Sequence, residues 1–235
     1  MDRETLDLLV TARRERRPAV LITRLTAATQ TLLYGDGGIH GVPLTAELTE
    51  VAMEALRLGR CRTLPLDGDE LFFHPYTVPL RMVIVGAVHI AKPLSLLAGL
   101  CNYQVTIIDP RQAFASEARF PQTELITEWP EQALEDLQPD SRTAIVTLTH
   151  DPKLDDPALA AALRSDAFYI GALGSRKTQQ GRQQRLAERG LTESQQSRIH
   201  GPVGLDIGAQ SPEEIAVAIM AEVTRSLRKG SGDAV

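Results

Sequence analysis

Beyond Pro79, short apolar runs alternate with stretches in which apolar residues recur at helical spacing. The runs MVIVG (82–86), VTIID (105–109), TAIVTLT (143–149) and AFYIGAL (167–173) are rich in β-branched residues and bounded by glycine or polar groups. This pattern predicts strands buried on both faces. A shorter strand is expected at Glu124–Thr127, with helices over about Glu131–Leu137 and about Asp156–Arg164. Strands and helices in alternation imply a parallel sheet covered on both sides. The last helix has the clearest start: Ser211-Pro212-Glu213-Glu214 offers a capping serine, a proline at the first helical position and a glutamate able to reach back. Ile215, Ala218, Ile219 and Val223 then form its buried face.

The segment before Pro79 is built differently. Glu4 to Arg16 has helical spacing at Leu6, Leu9 and Val10, and AVLITRLT and QTLLYG read as paired strands. A helix is expected from about Thr45 to Leu58, with Leu48, Val51, Ala52, Ala55 and Leu56 inward. In CRTLPLDGDELFFH the pair Asp67-Gly68 signals a hairpin turn. Pro75 and Pro79 favour an extended linker, which puts a domain boundary near Pro79. The expected fold class is α/β: a smaller N-terminal α+β domain over 1–79 and a Rossmann-type parallel sheet over 80–235. The tail KGSGDAV reads as a frayed end.

Composition narrows the function classes. The chain has 235 residues and a net charge of −5, without a block of five or more basic residues, and the short cluster Arg13, Arg14, Arg16 and Arg17 reads as a solvated helix end, so it carries no electrostatic footprint for nucleic acid. Its start, MDRETLDLLVTARRERR, lacks the apolar segment of a signal peptide, and no run is long enough for a membrane span; a cytoplasmic protein is expected. Cys61 and Cys101 are too few for a disulfide framework or a zinc cluster. Cys101 is expected in the core, and Cys61, between Arg60 and Arg62, is the better candidate for a reactive thiolate. His40 and His74 show no metal-ligand spacing and read as structural.

The candidate chemistry gathers where the strands end, because open parallel sheets bind ligands outside their carboxyl edge. LRMVIVGAVHIA followed by YQVTIIDPR has the order strand, tight turn, helix, strand, carboxylate, with about 20 residues between Gly86 and Asp109, as in a dinucleotide-binding half. Val88, however, stands where that pattern has a second glycine, which disfavours NAD(P). His89 is expected in the first turn of the following helix, and Asp109 and Arg111 end the second strand. Thr149-His150-Asp151 offers a hydroxyl, an imidazole and a carboxylate, suited either to proton transfer and ligand orientation or to capping a turn. Gly171, Gly174, Ser175 and Arg176 open a basic helix with Lys177, Arg182 and Arg185, an arrangement suited to an anion or to an ordinary strand-to-helix turn. The loop RIHGPVGLDIGA, with His200 and Asp206, either closes over a ligand or forms a rigid connection through Asp206.

Together GAVHIA, IIDPR, ARFP, TLTHDPKLDDPAL, YIGALGSR and RIHGPVGLDIGAQSPEEIAVAI, spanning about 80 to 228, resemble the C-terminal domain of the xanthine dehydrogenase accessory protein family, known as XdhC or CoxI. The resemblance implies a chaperone for a molybdenum hydroxylase that binds molybdenum cofactor for maturation and insertion. It works with the target enzyme and a cysteine desulfurase, and is more a cofactor handler than a catalyst. It marks His89, Asp109, Arg111, His150, Asp151, Gly171, Gly174, Ser175, Arg176 and Asp206, and with Gly86 and Thr149 from the strand-end turns these are the expected cofactor-binding residues. The chain departs from the family in two places. Its first turn reads GAVH rather than GAGH, and GDGGIHGVPLTAELTEVAMEA lacks the GSxPR-like segment and the GGC with its glutamate, which makes it a divergent member. An NAD(P)-dependent oxidoreductase with Asp109 on the ribose and His150 as acid-base group, and an interaction scaffold with a vestigial pocket, are the competing readings. A homodimer is the default oligomer.

Overall fold

The computed structural model describes residues 2–66, 68–121 and 123–229. Asp67, half of the expected hairpin turn, and the tail after Lys229 lie outside the described residues. The chain divides into two compact units, Met1–Val78 and Pro79–Val235.

The first unit runs α1 (Arg3–Arg14), β1 (Ala19–Arg24), β2 (Gln30–Tyr34), β3 (Ile39–His40), α2 (Ala46–Leu58), β4 (Arg62–Leu66) and β5 (Asp69–Tyr76). Its five strands form an antiparallel sheet in the order β3-β2-β1-β5-β4. Alternation assigns the two faces. Val20, Ile22, Leu33, Leu71 and Phe73 pack with Ala52, Ala55 and Leu56 of α2, whereas Ala19, Leu21, Leu32 and Tyr34 pack with Leu9 and Ala12 of α1. The inward face of α1 is therefore Thr5, Leu9 and Ala12; Leu6 and Val10, expected inside, are exposed. The sequence pattern misleads there because a helix on an open sheet buries only a narrow stripe.

The second unit runs β6 (Leu80–Val85), α3 (Ala91–Leu100), β7 (Tyr103–Ile108), β8 (Glu124–Ile126), α4 (Pro130–Leu137), β9 (Thr143–Thr147), α5 (Pro152–Arg164), β10 (Tyr169–Ala172), α6 (Arg176–Glu188), α7 (Glu193–Gln196), β11 (Ile199–His200) and α8 (Pro212–Lys229). All neighbouring strands are parallel, in the order β11-β10-β9-β6-β7-β8, so the unit is the α/β Rossmann-type sheet expected. Residues of α3 and α8 share one core with Met82, Ile84, Ala144 and Val146, while α4, α5 and α6 share the other with Val83, Val85, Ile145 and Ile170. The chain leaves β6 for β7 on one side and returns to β9 on the other. The topological switch point thus lies between β6 and β9. The cap of α8 forms as its sequence specifies: Glu214 accepts the Ser211 and Gln210 N–H groups, and Ser211 Oγ accepts that of Glu214. Helix α5 begins at Pro152, earlier than expected, because the Asp151 carboxylate caps it by accepting the Lys153 N–H.

Candidate functional site

At the switch point the turns after β6 and β9 press together. Gly86 has φ +108°, and a Cβ there would sit 2.6 Å from Thr149 Cγ2, so this position needs glycine both for its backbone and for the close approach. Val88 is half-buried against the core beneath α3 and α8. His89 is exposed in the turn ahead of α3, whose cap is Ile90; it lies before the helix rather than in its first turn.

Asp109 does not reach out of the sheet. Its carboxylate is fully buried and accepts four hydrogen bonds: from the Ala87 N–H (2.8 Å), the Arg111 N–H (3.0 Å), and the Arg111 guanidinium at Nε (2.9 Å) and Nη2 (2.8 Å). Burial works against its ionisation, but the Arg111 and Ala87 hydrogen bonds outweigh burial and hold the carboxyl below its usual range. Both oxygens are used, so none is left for a ribose hydroxyl. Arg111 is the half-exposed member of the pair, its guanidinium lying 4.6 Å from the centre of the Phe114 ring.

The turn after β9 is held from below and open above. Thr149 Oγ1 donates to Asp155 Oδ1 at 2.7 Å and also accepts the Asp151 N–H at 3.0 Å. Asp155 is buried in the first turn of α5 and pairs at 3.6 Å with Arg182 of α6, itself 2% exposed. Burial raises the Asp155 pKa, with Thr149 and Arg182 opposing, and burial lowers that of Arg182. Arg182 also donates to the Leu173 carbonyl (3.0 Å) and to Gln179 Oε1 (2.7 Å), and Gln179 donates to the Ala172 carbonyl (3.0 Å). One buried chain of side chains therefore joins the turn after β9 to the turn after β10. Above it, His150 is exposed at φ +60° and its imidazole makes no hydrogen bond among the described residues. A non-glycine residue at such a φ is strained by about 1 kcal/mol or more, which the buried supports sustain.

The turn after β10 presents cations. Gly171 is buried against Val203 and Tyr169, and Gly174, at φ +140°, packs on Thr178. Ser175 caps α6 by accepting the Thr178 N–H. The amides and side chains of Arg176 and Lys177 are without partners among the described residues, and both residues are exposed. Arg185, by contrast, pairs with Asp156, so of the four basic residues expected on this helix two face outward and two are committed inside. Asp206 is exposed and unpartnered among the described residues, which removes its reading as the brace of a rigid connection. That role belongs to Glu222 of α8: it accepts the Tyr169 hydroxyl (2.6 Å) and the Gly204 N–H (2.7 Å) and lies 3.3 Å from His200 Nδ1. Burial opposes its ionisation, and the His200 and Tyr169 hydrogen bonds outweigh it. His200 stacks on Tyr169, with ring centres 4.5 Å apart.

The sequence reading missed Asp155, Arg182 and Glu222 as organising groups. Their signal is a charged residue on an otherwise apolar helical face: Asp155 beside Leu154, Ala158 and Leu159, and Glu222 beside Ile219 and Val223. Cys101 is a correction, since it caps the end of α3 and is exposed rather than core. Cys61 is exposed too, and the neighbouring Arg62 is paired with Glu54. His40 faces Glu4 at 3.7 Å, and His74 lies between the Phe72 and Tyr76 rings. Among the described residues no helix is long and apolar enough to cross a membrane, and no cluster of metal-ligating side chains is found.

Compared with known proteins, residues 82–223 match the family described as XdhC Rossmann domain. A Bacillus subtilis (strain 168) protein, named as a probable subunit of xanthine dehydrogenase, is 34% identical over 150 residues, covering 63% of this chain and 43% of that protein. The molybdenum cofactor insertion chaperone PaoD of Escherichia coli (strain K12) is 32% identical over 158 residues, 67% of this chain and 42% of the relative. The chain thus spans less than half the length of these curated relatives. A crystal structure described as a xanthine dehydrogenase from Bacillus halodurans superposes with a TM-score of 0.67 at 23% identity, over 99% of this chain and 66% of that one, a likeness of fold.

Proposed function

This chain belongs to the XdhC family, and we propose that it is an accessory protein of a molybdenum hydroxylase, holding molybdenum cofactor or a related phosphate-bearing ligand as cargo during maturation and insertion. The observation that carries this reading is the carboxyl edge beyond β9 and β10. There an exposed imidazole, an exposed guanidinium and ammonium, and the first free amides of α6 stand without hydrogen-bond partners among the described residues, on turns braced by buried ion pairs.

In this reading Arg176, Lys177 and the amides at the start of α6 take the anionic group of the ligand. His150 orients a polar edge of it, and Asp206 approaches from the loop after β11. The braced turns keep these groups in place before the ligand arrives, which limits the entropy lost on binding. No covalent step is required of the protein. A target enzyme that receives the cargo, and a cysteine desulfurase that supplies the sulfur of its sulfurated form, are the partners this role calls for; one of the relatives carries cofactor insertion in its name. The nicotinamide reading finds no support in the geometry, because Asp109 has no acceptor left for a ribose.

The test is ligand retention. The protein is incubated anaerobically with molybdenum cofactor or with NAD, free ligand is removed, and what remains is identified by pterin fluorescence or adenine absorbance. The expected result is retained pterin, reduced about tenfold or more by Arg176→Ala, since a hydrogen bond to a charged group contributes about 1.5–3 kcal/mol. Retained NAD alone would establish the oxidoreductase instead. Retention of neither, alongside a stable complex with a molybdenum enzyme, would leave a scaffold with a vestigial pocket.

A further inference from the structure

Neighbouring parallel strands are usually joined through a helix that crosses the sheet, and β6 reaches β7 in that way, by α3. The next connection is different. Strands β7 and β8 lie parallel and side by side, yet residues 109–123 between them contain no helix among the described residues. Ordered connections of such length without secondary structure are uncommon and are often functional. Two residues close this one onto the core shared with α3 and α8, Phe120 at 1% exposed and Ala115 at 8%.

Between the end of β7 and that anchor, Phe114 is left in water, 44% exposed. Of the five phenylalanines it alone is exposed. Its backbone is nevertheless fixed: its N–H donates to the Arg111 carbonyl at 2.8 Å, and its carbonyl accepts from Arg119 Nη1 at 2.7 Å. The ring is held as well. The Arg111 and Arg119 guanidinium groups lie 4.6 Å and 6.0 Å from its centre, and Asp109 fixes Arg111 through two side-chain hydrogen bonds. Holding a side chain in place costs conformational entropy, and here little burial of the ring offsets it.

The position of Phe114 on the sheet gives the ring a use. Along the carboxyl edge the strand order sets Arg176 and Lys177 beyond β10, His150 beyond β9, and Arg111 with Phe114 beyond β7. From β10 to β7 is three strand spacings, roughly 14 Å. The charges of Asp151 and Asp155 reach the Arg111 guanidinium, so Phe114 stands near the turn after β9. Such a span suits a fused-ring ligand with a phosphate on a short arm.

We propose that Phe114 is a ring-binding residue of the cargo site, the plate against which the planar pterin of the ligand lies while its phosphate sits at the start of α6. This rests on the reading of the chain as a holder of molybdenum cofactor and gives the ring of that cargo its place. An aromatic side chain takes a planar heterocycle offset-stacked or edge to face, and a ring already propped by a guanidinium loses little freedom on binding. The Asp109–Arg111 pair, itself closed to ligand, serves as the prop.

The test uses the full chain and two probes, molybdenum cofactor followed by anaerobic retention and the phosphate-free 6-hydroxymethylpterin followed by fluorescence titration. Phe114→Ala should weaken both about tenfold, within the range for aromatic side chains under stacked bases, with the melting temperature kept. Phe114→Tyr should restore binding, and Phe114→Leu, apolar but without a ring, should not. Arg176→Ala should weaken the cofactor and spare the pterin. Cofactor held equally by Phe114→Ala and the wild type, rescue by Phe114→Leu, or no affinity of the wild type for the pterin up to its solubility limit would overturn the proposal and leave the cargo role standing. Guanosine held more tightly than the pterin would overturn the assignment to a pterin. No cofactor held by the wild type would overturn the cargo role and this proposal together.

Discussion

The two halves of the carboxyl edge use similar residues to opposite ends. Around β6 and β7, Gly86, Asp109 and Arg111 carry the sequence pattern of a dinucleotide site, yet the carboxylate is fully buried and closed by its own arginine and the Ala87 amide. Around β9 and β10 the motif is less distinctive, and here the buried pair Asp155–Arg182 holds the turns from beneath while His150, Arg176 and Lys177 remain open to solvent. A charged group at a strand end is thus a ligand contact only if the fold has not already satisfied it. What separates the halves is where the arginine lies. Arg111 is two residues from its acid and folds back on it, whereas Arg182 reaches its acid from another helix and leaves the loop residues above unspent.

The most severe test of this contrast removes the brace on the open side. Arg182→Met leaves the Asp155 carboxylate without its ion-pair partner in a buried site, and a stability loss of about 3–5 kcal/mol is expected in urea unfolding. Amide hydrogen exchange in the turns after β9 and β10 should rise together. Exchange confined to the turn after β10 would show that the brace does not join the two.

On the closed side, Asp109→Asn keeps the shape but loses the ion pair with a half-exposed arginine, so the expected loss at neutral pH is smaller, about 2 kcal/mol. This change should also alter the pH profile. The folded pKa of Asp109 lies below its unfolded value of about 3.9. Its stabilisation is therefore complete above that value and is lost as pH falls through the folded pKa. The acid limb of the stability curve should be shallower in the variant; an unchanged limb would place the acid sensitivity in other carboxylates, with Glu222 next in line.

The smallest effect is expected from Val88→Gly. It restores the glycine of the dinucleotide pattern, but calorimetry with NAD should show no gain in affinity, because Asp109 still lacks a free acceptor. A clear gain would mean that Arg111 releases Asp109 when a ribose arrives, and the two halves would then be closer in function than their resting structures suggest.

Much of this was legible along the chain. The apolar runs at 82–86, 105–109 and 143–149 give strands where they occur, and Ser211 and Glu214 cap α8 as their spacing implies. These are local properties, set by side-chain period and by groups within a turn of one another. The fate of Cys101 and of Leu6 and Val10 was not legible, since an apolar residue on a helix gives no sign of whether the neighbouring element reaches far enough to cover it.

The order of residues is enough to set the alternation of strands and helices, the break near Pro79 and the group of polar residues delivered to one edge of a parallel sheet. Which of those residues remain free is a property of the folded chain. Asp155 meets Arg182 and Tyr169 meets Glu222 across long stretches of chain, and Asp109 closes on the Ala87 amide only because β6 and β7 lie side by side. Whether a buried charge is satisfied depends on distances of about 3 Å between groups far apart in the chain, and no local period encodes them.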